Sequence, residues 1–272
     1  AADFDWAVRL NDVWRPSSSD VPGLHARLRD AFARKLDAME RNGDGGCPLG
    51  WVVVGDGGSG KTHLLGAFRR EATRRGCPFV MVDLTDVRNF WECVLQGYMG
   101  SLEQELDGEV PQHKWVLENI IARYGSGKSF TAKLSALLGR KSADLRGDVN
   151  DMLGALSKPF PKETMRYQDV VRALICLNSD DFTVASLGHA WLRGLRIEDE
   201  DRKRLGFTVD RELPKQIVEA LSWFTSLAGP TVIAFDQMDP IVAQLHYRSQ
   251  GENHSEAEQA TAKSIIAEIG GG

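Results

Sequence analysis

The stretch Gly55-Asp56-Gly57-Gly58-Ser59-Gly60-Lys61-Thr62 places four glycines, one lysine and two hydroxyls within eight residues. It satisfies the spacing G-x-x-x-x-G-K-[ST] in full. The chemistry open to such a segment is the holding of phosphate. Glycines permit backbone angles closed to other residues and let amides approach an anion closely. Those amides, with the N-terminus of a following helix, make an anion nest. Lys61 adds a positive charge for β- and γ-phosphates, and the Thr62 hydroxyl is a Mg²⁺ ligand. The expected nucleotide contacts are therefore Gly55, Asp56, Gly57, Gly58, Ser59, Gly60, Lys61 and Thr62, and the expected ligands are a nucleoside triphosphate and Mg²⁺.

A phosphate loop needs a carboxylate on a neighbouring strand. Thr231-Val-Ile-Ala-Phe-Asp236 supplies an apolar run ending in Asp236, which is expected to hold Mg²⁺ together with Thr62, mostly through water. The next residue bears on hydrolysis. Many P-loop ATPases follow this Asp with Glu, which polarises the attacking water. Here Gln237 follows, then Met238 and Asp239. Gln orients a water but cannot take its proton. Were the strand to continue extended, Asp239 would share a side with Gln237 and point away from Asp236. Asp239 is then either the base or a cap before Pro240. A working ATPase, a slow one and a nucleotide-gated switch all remain open.

The elements that must position these residues are legible as periodicity. Residues 22–41 carry Leu24, Leu28, Phe32, Leu36 and Met39 at helical spacing. Residues 51–54 (Trp-Val-Val-Val) form a short apolar run that predicts a buried parallel strand. A helix over 61–75 follows, ended by Gly76, and then Pro78-Phe-Val-Met-Val-Asp83 as a second buried strand. That is one β-α-β unit. Between about 85 and 229 strands disappear. Helices are expected near 87–106, 114–124, 130–138, 148–156, 164–177, 183–194 and 213–227. Arg196-Ile-Glu-Asp-Glu-Asp-Arg-Lys-Arg204 reads as a solvated helix or loop. Strand character returns at Thr231-Val-Ile-Ala-Phe235. The domain reading is an N-terminal segment (1–20), a nucleotide-binding core (21–86 with 230–272) and a helical insertion (87–229). A second Gly-Lys-Ser, within Tyr124-Gly-Ser-Gly-Lys-Ser129, lacks the first glycine because Ala122 stands there, and a helical pattern precedes it. It reads as a loop, with a phosphate contact through Lys128 as the lesser alternative.

Composition narrows the classes. The 272 residues are 42% apolar and 26% charged, enough for a sizeable core. The net charge of −5 argues against a strongly basic nucleic-acid binder. No apolar run reaches the length of a membrane span and no leader pattern opens the chain, so no membrane partner and a cytoplasmic location are expected. Cys47, Cys77, Cys93 and Cys176 form no C-x-x-C pair and read as reduced thiols. The six histidines (His25, His63, His113, His189, His246, His254) show no metal-ligand spacing. The chain starts without Met and stops at Gly270-Gly271-Gly272, and both ends look cut.

Taken together, the P-loop, the Asp236 strand and the strand between them resemble the AAA+/STAND side of the P-loop ATPases. Phe235-Asp236-Gln237-Met238-Asp239 is similar to the D-Q-x-D or D-E-x-D of initiator-type ATPases. Ala190-Trp-Leu-Arg-Gly194, then Leu205-Gly-Phe207, a helix and Val232-Ile-Ala-Phe-Asp-Gln237, resembles the ATP-binding proteins of bacterial phage-defence islands. These are of the BREX and phage-growth-limitation type, with a long helical insertion between the Walker motifs. The likeness covers roughly residues 20–240. It implies a three-layer α/β P-loop NTPase with a parallel sheet and a large all-helical insertion between Walker A and Walker B. It also implies ATP and ADP as ligands, in keeping with the absence of a guanine-reading N-K-x-D, and other proteins of a defence or DNA-processing complex as partners. DNA contact is left open, and a homo-oligomer is among the assemblies the resemblance allows. The segment Val21-Pro22-Gly23-Leu24 lies where such proteins seat adenine. One departure is length: 174 residues separate Thr62 from Asp236, far more than a minimal core. Sensor residues and an arginine finger are not assignable; Arg193, Arg196 and Arg248 read as ordinary surface arginines. Trp191 and Leu192 read as core.

Overall fold

The computed structural model describes residues 13–14, 23–42, 50–85, 87, 89–106, 110–124 and 145–238. Over these residues the chain is α/β, mostly helical, with a small parallel sheet. Helix α1 (Ala26–Asn42) precedes the loop. Helix α2 (Lys61–Arg74) follows it and leads to strand β1 (Phe79–Asp83). The long middle region runs α3 (Phe90–Leu102), β2 (Glu105–Leu106), β3 (Val110–Pro111), α4 (Gln112–Tyr124), α5 (Leu145–Ser157), α6 (Pro161–Leu177), α7 (Phe182–Leu192), α8 (Asp199–Leu205) and α9 (Pro214–Ala228). Strand β4 (Val232–Asp236) closes the described chain. β1 and β4 pair in parallel, with Phe79 opposite Val232 and Asp83 opposite Asp236.

The alternation of β1 assigns its two faces. Phe79 and Met81 join Leu64, Phe68 and Ala72 of α2, with Leu36 of α1, Val13 and Ala234. Val80 and Val82 join Val94, Leu95 and Tyr98 of α3 and Leu221 and Phe224 of α9. Helices thus cover both faces of the β1–β4 pair. The helical region is not a separate body, because its core runs without a break into the face of β1.

One edge of this sheet is closed. Phe79 N–H donates to Gln112 Oε1 at 2.9 Å, and Gln112 Nε2 donates to Phe79 O at 2.9 Å and to Ser101 O at 2.9 Å. Met81 N–H donates to Ser101 Oγ at 2.8 Å. Side chains from α3 and α4 therefore take the hydrogen bonds a further strand would otherwise take. The opposite edge, along β4, has no partner among the described residues, and Ile233 and Phe235 are exposed there.

Helix ends follow local chemistry. Asn89 caps α3 by accepting from Glu92 N–H at 3.0 Å, and Asp181 caps α7 by accepting from Thr183 N–H at 2.9 Å. Pro161 and Pro214 open α6 and α9, where a missing N–H costs nothing. The mixed charge run becomes α8, acidic in its first turn and basic in its last, as the helix dipole favours.

The structure departs from the sequence expectations at two places. Residues 51–54 pair with no strand among the described residues, and Val52 and Val54 are 85% and 90% exposed. The apolar run is there, and Trp51 meets Phe32 of α1 and Phe68 of α2, but a parallel strand is buried on both faces only where strands flank it, and no described strand flanks this one. The middle region is not strand-free: β2 and β3 form a two-residue antiparallel ladder, with Glu105 opposite Pro111. The helix expected at 130–138 lies outside the described residues.

Candidate phosphate-binding site

The loop turns at Asp56, whose carbonyl accepts from Ser59 N–H at 3.1 Å. Gly58 and Gly60 adopt φ of +76° and +84°, left-handed backbone that a side chain strains. From Gly60 the chain enters α2 directly, Leu64 N–H donating to Gly60 O at 2.9 Å. Among the described residues no side chain caps this helix start, so its leading amides stay available to an anion.

Lys61 folds back over the loop. Its Nζ donates to Gly55 O at 2.7 Å and to Asp56 O at 3.0 Å. The ammonium is thus held above the nest by neutral carbonyls, and an arriving phosphate oxygen is the stronger acceptor. Thr62 Oγ1 donates to Asp236 Oδ2 at 3.2 Å. That contact joins the start of α2 to the end of β4. Gly55, Asp56, Gly57, Gly58 and Ser59 are exposed, and Lys61, Thr62 and Asp236 are half-buried.

The strand ends at Asp236. Gln237 takes φ +58°, uncommon for a residue with a side chain, and its N–H donates to Asp236 Oδ1 at 2.9 Å. Gln237 therefore meets Asp236 through its backbone, while its side chain is exposed. The strand does not continue extended past Asp236, so the condition that would set Asp239 beside Gln237 is not met at this turn, and Asp239 itself lies outside the described residues. So do Val21, Pro22, Lys128 and Arg248. Arg193 pairs with Glu103 at 3.2 Å and Arg196 with Asp210 at 2.6 Å.

Two residues near the loop escaped the sequence reading. His25, in left-handed backbone at φ +55°, brings its Nε2 to 3.4 Å from where a Cβ on Gly60 would sit. Gly23 and Leu24, the described part of the adenine candidate, therefore adjoin a residue that touches the loop. Asp83 ends β1 directly opposite Asp236. The signal for it was present: Phe-Val-Met-Val-Asp83 repeats the apolar-run-then-Asp pattern of Val-Ile-Ala-Phe-Asp236.

Elsewhere the chemistry is quiet. Burial pushes the Cys77 and Cys176 thiols up to about 12, so neither is a nucleophile at neutral pH. Trp191 and Leu192 are core, at 1% and 0% exposure. A cleft of about 280 Å³ between α1 and α2 is lined by no residue of the loop. Among the described residues no three His, Cys, Asp or Glu side chains converge on a metal position. Thr62 and Asp236 offer two hard oxygens instead, the sparse set that suits Mg²⁺ carried largely by phosphate and water. No helix of the described residues is long and apolar enough to cross a membrane.

No family model, curated protein or solved structure matches the chain.

Proposed function

We propose that the chain binds Mg-ATP at residues 55–62 and hydrolyses it to drive or gate a multi-protein complex. The carrying observation is the Thr62–Asp236 hydrogen bond, which unites two halves of a motif pair 174 residues apart. In this reading the open amides of the loop and of α2 bind the phosphates, and Lys61 moves from Gly55 O and Asp56 O onto them. Thr62 and Asp236 hold Mg²⁺, which neutralises charge on the phosphate oxygens. Gln237 and Asp239 are the candidates for orienting water.

The finer fold reading is a three-layer P-loop NTPase of the AAA+/STAND kind. Helices on both faces of the β1–β4 pair, the unpaired edge of β4 and the exposed apolar run at 51–54 support it. The family reading, ATP-binding proteins of BREX or phage-growth-limitation defence islands or of another DNA transaction, rests on the sequence resemblance alone. So do a cytoplasmic setting, the partner proteins, any DNA contact and a homo-oligomer. His25 beside Gly60 supports seating the base near Gly23 and Leu24.

A second reading is a nucleotide-gated scaffold with little hydrolysis. The left-handed turn at Gln237 favours it, because no carboxylate directly follows Asp236. The test is Mg-ATP affinity and phosphate release for wild type and Lys61→Ala. Losing a charge-assisted contact of about 1.5–3 kcal/mol weakens binding roughly 10- to 100-fold. Binding without turnover selects the scaffold, and absence of binding by the wild type rejects both readings.

A further inference from the structure

We infer that Asp83 is the carboxylate that takes the proton from the attacking water, an inference that rests on the ATPase reading above. Hydrolysis at this site needs a proton acceptor, and the residue directly after Asp236 is Gln237, which is none. Asp236 is itself committed: Oδ2 accepts from Thr62 Oγ1 and Oδ1 from Gln237 N–H. Among the described residues, a second carboxylate brought to this end of the sheet is Asp83, opposite Asp236.

Its placement follows from register. Asp83 and Asp236 are Cα partners in a parallel pair, so their backbones stand about 4.8 Å apart. Register partners send their side chains to the same face. Phe79 and Met81, four and two residues before Asp83, pack on the face occupied by α2. The alternation therefore puts Asp83 on the side of the sheet where the loop and Thr62 lie. It is exposed, hence open to water.

Its orientation is held from one side only. Oδ1 accepts from Thr85 N–H at 2.9 Å and from Thr85 Oγ1 at 2.5 Å. Among the described residues no hydrogen bond reaches Oδ2. A carboxylate anchored through one oxygen and open at the other is the arrangement a general base requires, since it must be fixed and yet have a free lone pair. In the step, the water oxygen bonds to the γ-phosphorus while the bond from that phosphorus to the bridging oxygen breaks. The water proton passes to Asp83 Oδ2, and ADP leaves with its electron pair.

The experiment measures Mg-ATP affinity, steady-state phosphate release and trapping of ADP by aluminium fluoride, for wild type, Lys61→Ala, Asp83→Asn, Asp83→Glu, Asp239→Asn and Glu92→Gln. Asp83→Asn is expected to bind Mg-ATP within about threefold of wild type, to lose roughly 100-fold or more in turnover and to fail to trap ADP. Asp83→Glu is expected to recover part of the turnover. Glu92→Gln, on the exposed first turn of α3, is expected to keep it. Turnover by Asp83→Asn within threefold of wild type overturns the inference, as does a loss caused by Asp239→Asn and not by Asp83→Asn. Wild-type binding that depends on Lys61 but gives no turnover overturns it while leaving nucleotide binding intact. No binding at all overturns both.

Discussion

The helical region and the phosphate-binding loop treat apolar surface in opposite ways. Between α3 and α9 the large side chains are covered: Tyr98, Leu117, Trp191 and Phe224 are all at or below 1% exposure. Beside the loop, Val52 and Val54 stand almost fully open, and Ile233 and Phe235 line an edge without a partner among the described residues. The first region is bounded by its own contacts. The second has a complete motif beside a sheet edge that has no partner among the described residues. Chemistry at a loop needs few residues in the right order, whereas a sheet needs neighbours contributed from far along the chain.

That contrast can be broken or sharpened by mutation. The largest effect is expected at Trp191, whose ring lies 5.4 Å from that of Phe207 and whose Nε1 donates to Val209 O at 3.3 Å. Trp191→Ala should cost about 3–5 kcal/mol in urea unfolding; a cost below about 1 kcal/mol would mean the helical core is not closed. Gln112→Ala comes next. It strips partners from Phe79 N–H and Phe79 O, both buried, and should cost about 2–4 kcal/mol. Equal stability would show that the edge of β1 does not depend on that side chain.

A smaller, pH-dependent effect belongs to His113. Burial pushes its pKa below the ordinary 6.5, partly opposed by the hydrogen bond to Asn178. The unfolded chain then binds the proton more readily than the folded one, so this group's contribution to stability is lost as pH falls below about 6.5. Unfolding measured at pH 7.5 and 5.5 should show that loss in wild type and a reduced loss in His113→Gln. The smallest effect is expected at Val54, where Val54→Thr should change stability by less than about 0.5 kcal/mol. A loss above about 1 kcal/mol would show that residues outside the described ones cover it, and the contrast between the two regions would narrow.

Much of the helical architecture was legible because its periodicity is local. The helix expected over 61–75 is Lys61–Arg74, and that expected over 213–227 is Pro214–Ala228. The loop was legible because its glycines and Lys61 act through their own backbone and charge. Pairing was not legible in the same way. Nothing within residues 51–54 says whether a neighbour flanks them, and nothing within Phe-Val-Met-Val-Asp83 says that its Asp will stand opposite Asp236. Gln112 is harder still. A polar residue before a helical pattern reads as surface, yet it is 1% exposed because β1 needed a donor and an acceptor at one spot. The turn at Gln237 is a backbone event with no compositional mark, since left-handed φ is more often signalled by Gly or Asn.

The separation of Thr62 from Asp236 has a consequence in time. A ribosome adding about 5–20 residues per second needs roughly 10–35 s to make the 174 residues between them. During that interval the loop and β1 exist while β4 does not. The Gln112 clamp on Phe79 lies only 33 residues downstream, so it can form within the first seconds. A nascent β1 would then meet the crowded exterior with one flank already closed, and its other flank waiting for β4 to emerge.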